Sequence, residues 1–234
     1  MKKLFITALA VTIAANAFAI DNEPEPGVSV QMSAGMTISS LPGAPKDAEL
    51  GAKVGGTLAI KGQYMLPGAL GTYINAAAAW TMKGAHNGSY KVPIPPKGET
   101  INATYNWETH YIQLPIHVGY RYNLADNFGI YAEFGPYFSL GLSGKQKVKV
   151  DVDGFRDFSS SDPLFDNVQR TDFGLGFLIG GEFENHYSLN FGFDWGITDL
   201  YKDSFREKFA KEMPGLTLDK LHNFCATISV GYRF

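Results

Sequence analysis

Phe128-Gly129-Ile130-Tyr131-Ala132-Glu133-Phe134-Gly135-Pro136-Tyr137-Phe138-Ser139-Leu140-Gly141-Leu142 decides the fold. One face carries Phe128, Ile130, Ala132, Phe134, Phe138, Leu140 and Leu142. The other carries Gly129, Tyr131, Glu133, Gly135, Tyr137, Ser139 and Gly141. A period of two belongs to a β-strand whose faces meet unlike surroundings. The run also exceeds the roughly 9–11 residues that a tilted strand needs to cross a bilayer.

Seven further runs share this period. Before it lie 28–38, 52–66, 74–82 and 112–122, the last with Ile112, Leu114, Ile116, Val118, Tyr120 and Tyr122 opposing Gln113, His117, Gly119 and Arg121. After it come 172–183, 187–197 and 224–234. Pro115 cannot donate to a ladder, so a bulge or distortion is expected there. Eight is an even number, as closed antiparallel membrane barrels require.

The connections alternate in length. Segments 39–50, 84–108, 143–170 and 198–222 are long and polar, whereas 67–72, 123–127 and 184–186 are short. Up-and-down barrels have short periplasmic turns and long outer loops. Within 201–213, Phe205, Phe209 and Met213 stand four residues apart among charged residues, which predicts a short amphipathic helix ended by Pro214-Gly215. A packed cap on the barrel mouth is its expected place. Three lysines in 144–149 are compatible with a prolonged fifth strand.

Alternation alone does not say which face points outward. An eight-stranded lumen is just wide enough to be filled by side chains. The Phe and Trp rows are too bulky for that space, so they face lipid. The opposite face is rich in glycine and carries Lys53, Lys61, Arg121 and Arg233 with Glu133, Asp172, Glu182 and Asp194. Buried charges are tolerated when paired and hydrogen-bonded. These eight are therefore expected to form a structural charge network in a closed lumen. Tyr64, Trp80, Tyr120, Tyr122, Tyr187, Trp195 and Tyr232 fit the aromatic girdles of the two membrane interfaces.

The N-terminus has its own logic. Met1-Lys2-Lys3, an apolar run from Leu4 to Ala15 and Ala17-Phe18-Ala19 read as a secretory signal peptide over 1–19, leaving 20–234 as one barrel domain. No later stretch reaches the ~18 apolar residues of a spanning helix. A net charge of −3 without a basic block excludes nucleic acid as a partner. Cys225 is the only cysteine, so no intrachain disulfide can form.

Gly231-Tyr232-Arg233-Phe234 resembles the terminal signal read by the outer-membrane barrel-assembly machinery, with Tyr232 and Phe234 as its aromatic positions. The segment 111–122, followed by Gly135-Pro136-Tyr137 and Asp172-Phe173-Gly174-Leu175-Gly176, resembles the porin-family, or PorT-type, outer-membrane β-barrel domain common in Bacteroidetes. The resemblance implies a small closed barrel of the OmpX or OmpA kind in the outer membrane of a Gram-negative cell. It implies no catalytic set.

No cofactor and no catalytic or metal site is expected. None of the strands carries a His-x-Ser pair for acyl transfer, and Asp151-x-Asp153-Gly154 lacks the remaining ligands of a calcium loop. The expected partners are outer-membrane lipid, the assembly machinery during biogenesis, and a surface ligand held by loops 84–108 and 143–170. The functional expectation is a structural or binding barrel at the cell surface. A narrow channel for small solutes is the alternative, followed by a lipid-modifying enzyme.

Overall fold

The computed structural model describes residues 27–43, 51–94, 99–151, 158–212 and 219–234, and within these the side chains outside 87–105, 148–163 and 212. The leader at 1–19 and the Asp153-Gly154 pair lie outside the described residues. Nine strands follow in order: β1 Gly27–Ser40, β2 Gly51–Met65, β3 Thr72–Ile94, β4 Glu99–Ala125, β5 Phe128–Asp151, β6 Phe158–Pro163, β7 Thr171–Phe183, β8 Tyr187–Gly196 and β9 Phe224–Arg233. One helix, α1 Asp203–Glu212, lies between β8 and β9.

Eight strands form the wall. Each pairs antiparallel with its neighbours in sequence, and β7 follows β5 directly. β1 pairs with both β2 and β9, Gln31 standing opposite Lys61 on one side and Arg233 on the other. This seam turns a sheet into a closed ring without edges. Closure satisfies every wall strand's backbone groups internally, as lipid demands.

The faces divide as the alternation predicts. Phe134 is 53% exposed while its neighbour Glu133 is 2% exposed. Large apolar side chains such as Ile116, Val54, Phe173 and Val230 cover the outside. Lys83, Arg121, Asp172 and Glu182 are buried inside. Among the described residues no helix is long and apolar enough to cross a membrane, so the strands do the crossing.

Pro115 has a milder effect than a bulge. The β4–β5 register is the same at Pro115 opposite Tyr137 as at Val118 opposite Phe134, so the strand runs on without a slip. The β2–β3 register instead shifts between Ala52 and Thr57, around Gly55-Gly56.

Two expected loops are largely strand. The polar segments 84–108 and 143–170 contain the upper parts of β3, β4 and β5 together with β6. Polarity there marks distance from lipid. It does not mark loss of pairing, because a ladder above the membrane needs no apolar face.

β6 and β7 are successive pieces of one path along β5. β6 pairs from Val150 to Lys145, and β7 takes over at Leu140. Between them the chain leaves the wall as a short 3-10 turn at Leu164–Asp166, burying Leu164 and Phe165. Val168, Leu41, Ala85, Leu200 and Leu221 join Leu164 in an apolar cluster, with Trp107 and Tyr201 against it. That cluster plugs the mouth at the long-connection end. On α1, Phe205 stacks on Tyr201 at 5.5 Å and Phe209 follows at 6.5 Å, while Arg206 pairs with Asp199 at 2.5 Å. An apolar cap thus exists, but its cluster is built from Leu164, Val168, Leu200 and Leu221, and the helix joins it only through the stacking of Phe205 on Tyr201.

Candidate functional site: the lumen network and the surface extension

The lumen is filled by levels of charge separated by aromatic rings. Nearest the short turns, Arg121 donates to both oxygens of Glu182, at 3.0 and 2.6 Å. Arg233 reaches the same carboxylate at 2.5 Å, and its Nε donates to the Asn185 carbonyl at 3.1 Å. Two guanidiniums on one carboxylate from three strands form a crossbar. The planar, forked arginine head suits this bidentate geometry.

One level up, Glu133 is held from three sides. Lys61 Nζ lies at 2.6 Å, the Tyr73 hydroxyl donates at 2.9 Å, and His117 Nδ1 stands at 3.6 Å. Tyr131 donates to Asn190 beside it. Asp194 accepts from the Gln113 amide at 2.8 Å, and Ser139 donates back to Gln113 at 3.2 Å. The neighbour of Asp194 is thus an amide where a cation was expected.

Nearest the plug, Asp172 accepts from Tyr137 at 3.1 Å and Asn223 at 2.9 Å. Lys83 Nζ stands 3.8 Å from it, fully buried, over the Tyr137 ring at 4.6 Å and near that of Tyr111 at 5.7 Å. At the rim Lys53 pairs with Glu108 at 2.8 Å. Seven of the eight expected lumen residues therefore lie inside, in three paired levels with Asp194 between the upper two, and the eighth, Lys53, pairs at the rim with the half-exposed Glu108.

Lys83 and Glu108 complete the set and were not among the expected residues, whereas His117 stands on the inner face beside Glu133 as the alternation of its strand predicts. The third run ends at Met82 by its apolar row, one position short of Lys83, and Glu108 falls in what reads as a loop. Inward alternation continued past Met82 is the signal that finds Lys83.

The inner-face glycines have a specific use. A Cβ on Gly119 would stand 2.3 Å from the Tyr73 ring, one on Gly180 2.5 Å from Tyr131, and one on Gly174 2.7 Å from Tyr137. Each tyrosine lies flat over a glycine of a neighbouring strand. The rings separate the charged levels and leave little room for water.

Around the outside, Tyr64, Tyr187 and Tyr232 are exposed at the short-turn end, with Tyr120 and Tyr122 half-exposed. Trp80 and Trp195 sit toward the plugged end, opposite Leu58 and Leu175. Two girdles at different heights mark the two interfaces of a bilayer. The Tyr232 ring touches Phe234, Tyr187 and His186, and Phe234 itself is largely exposed.

Among the described residues no three His, Cys, Asp or Glu side chains are grouped to hold a metal ion. Cys225 is free and buried.

The outer membrane protein beta-barrel domain family matches residues 5–234, nearly the whole sequence. This chain belongs to that family. It is a small outer-membrane β-barrel protein, seated in the lipid of that membrane. No curated relative matches the sequence. Among solved structures, the outer-membrane barrel is similar to OprG of Pseudomonas aeruginosa, with 12% identity over 91% of this chain and 98% of that one, at a TM-score of 0.46. Neisserial surface protein A shares 17% identity over 88% and 97%, at 0.41. The attachment invasion locus protein Ail of Yersinia pestis, in complex with the heparin analogue sucrose octasulfate, shares 12% over 88% and 99%, also at 0.41.

Proposed function

We propose that this outer-membrane barrel is a surface-binding or structural scaffold with a closed lumen. The observation that carries the reading is the double obstruction inside the wall, set beside the sheet raised above it. An arginine–carboxylate crossbar fills one end and an apolar plug fills the other. The upper parts of β3, β4 and β5, with β6, form a four-stranded extension beyond the membrane. Paired strands hold a recognition surface with less ordering cost than free loops.

The ligand is expected to bind through 84–108 and 143–170. A pull-down from the native membrane, comparing intact barrel with a variant shortened in both segments, tests this. Loss of a specific partner on shortening supports the reading. The same partners with both proteins would overturn it.

Conduction is the competing reading. Single-channel steps of the intact barrel in a planar bilayer would replace the scaffold with a channel. Enzyme activity is outside the proposal: the inner-face carboxylates are bound to cations, amides and phenols, with no nucleophile–base pair among them. Unchanged lipid A acyl chains in cells making the barrel is the expected result. The proposal includes removal of 1–19 and recognition of Tyr232 and Phe234 by the assembly machinery. The motif at 111–122 favours a PorT-type barrel of Bacteroidetes.

A further inference from the structure

The outer wall is not uniformly covered. Near the short-turn end an apolar groove of about 1110 Å³ runs across β4, β5, β7 and β8. Its low points are Ala132 and Gly181, and Tyr122, Phe128, Tyr187 and Phe191 rise around them. Gly181 interrupts an outward row between Ile130 and Leu189, each well exposed.

The groove's polar end has a definite charge. Just beyond Phe128 and Phe183 the two short turns meet: the Glu184 amide donates to the Asn127 carbonyl at 2.7 Å, and Asn185 Nδ2 donates to the Asp126 carbonyl at 3.4 Å. Asp126 and Glu184 are both exposed there. The two arginines at this end, Arg121 and Arg233, are both committed to Glu182. The recognised headgroup therefore carries positive charge at its tip. The groove's own lining includes the phenols of Tyr122 and Tyr187, whose O–H groups are suitable donors for phosphodiester oxygen.

We propose that this groove holds one phospholipid with an ammonium headgroup, of the phosphatidylethanolamine class. An acyl chain lies over Ala132 and Gly181, the phosphodiester lies at the tyrosine girdle, and the ammonium meets Asp126 and Glu184. An anionic headgroup of the glycerol class would face those carboxylates with like charge.

The test uses the folded full chain in bilayers of phosphatidylethanolamine and phosphatidylglycerol in equal amounts, extracted gently and weighed by native mass spectrometry. One retained lipid per barrel is expected, with ethanolamine lipid in about threefold excess, since two exposed carboxylates each contribute modestly. Gly181→Leu should cut the lipid-bound fraction about fivefold, because its side chain occupies the space of several buried methylenes. It should also fold, since a Cβ there meets only the Phe128 ring at 3.5 Å. Ala132→Leu is the second groove-filling variant, and gel mobility of the unheated protein reports folding for both. Asp126→Asn with Glu184→Gln should keep the adduct and remove the preference. A wild type with no adduct, equal retention of both lipids, the same adduct in a folded groove-filled variant, or a lipid-free barrel dimer would each overturn the proposal.

Discussion

The two ends of the lumen are shut by opposite chemistry. At the short-turn end three strands are tied by Arg121, Glu182 and Arg233, the first two almost fully enclosed and the third partly so. At the other end Leu164, Val168, Leu200 and Leu221 pack as a small apolar core, and Lys202 ties the plug by donating to the Phe165 and Asp166 carbonyls at 2.6 and 3.0 Å. The crossbar is part of the wall, so disturbing it disturbs the barrel. The plug is made chiefly of two detours from the wall, one between β6 and β7 and one between β8 and β9, tied to each other by the Gln169–Leu200 backbone bond, so it can loosen while the wall stays paired. Local opening of this kind draws on regions with few ties to the global core.

The largest expected effect tests the crossbar. Glu182→Ala leaves the buried Arg121 guanidinium, and the less enclosed one of Arg233, without their carboxylate and should destabilise by about 3–5 kcal/mol. Urea unfolding in lipid vesicles measures this; a loss below about 1 kcal/mol would erase the contrast between the ends. Next comes Gly119→Ala, which drives a methyl into the Tyr73 ring and should cost about 1–3 kcal/mol through overpacking. The double variant Gly119→Ala, Tyr73→Phe should not recover it, because the clash is with the ring.

A sharper comparison comes from the plug. Leu164→Ala with Phe165→Ala should increase protease cleavage in 158–170 while global unfolding moves by about 2 kcal/mol or less. Planar-bilayer recordings of that variant should still show no steps, because the crossbar persists below. Steps appearing on plug removal alone would show that the lower level does not seal. The smallest effect is expected from Lys202→Ala, about 0.5–1.5 kcal/mol, confined to plug protection in hydrogen exchange.

The wall was legible because lipid and lumen impose opposite demands on alternate residues. Phe134 beside Glu133 and Tyr122 beside Arg121 announce both faces without any knowledge of pairing. The charged residues were legible for the same reason, yet their partners were not. Which carboxylate meets Arg121 depends on barrel shear and register, and these are set by contacts between distant strands.

The glycines illustrate the limit. Their abundance on the inner face is visible in the sequence, but that Gly119 receives Tyr73 and Gly180 receives Tyr131 emerges only when strands are aligned. The plug was least legible, since Leu164, Phe165 and Val168 follow no period. Above the membrane, pairing persists through 88–94 and 99–108, where Ile101, Ala103, Tyr105 and Trp107 alternate with Asn102, Thr104, Asn106 and Glu108; that period was present in the sequence but is masked by the polar, glycine- and proline-containing residues around it.

The β1–β9 seam sets a condition on how the molecule is made. It joins positions such as Gln31 and Arg233, roughly 200 residues apart, so its loop-closure cost falls on the latest pairing in chain order. Until β9 arrives, β1 stays an unmatched edge, and the ring cannot shut before this last wall strand is available. Slow closure, late in the order of pairing, follows from the connectivity alone.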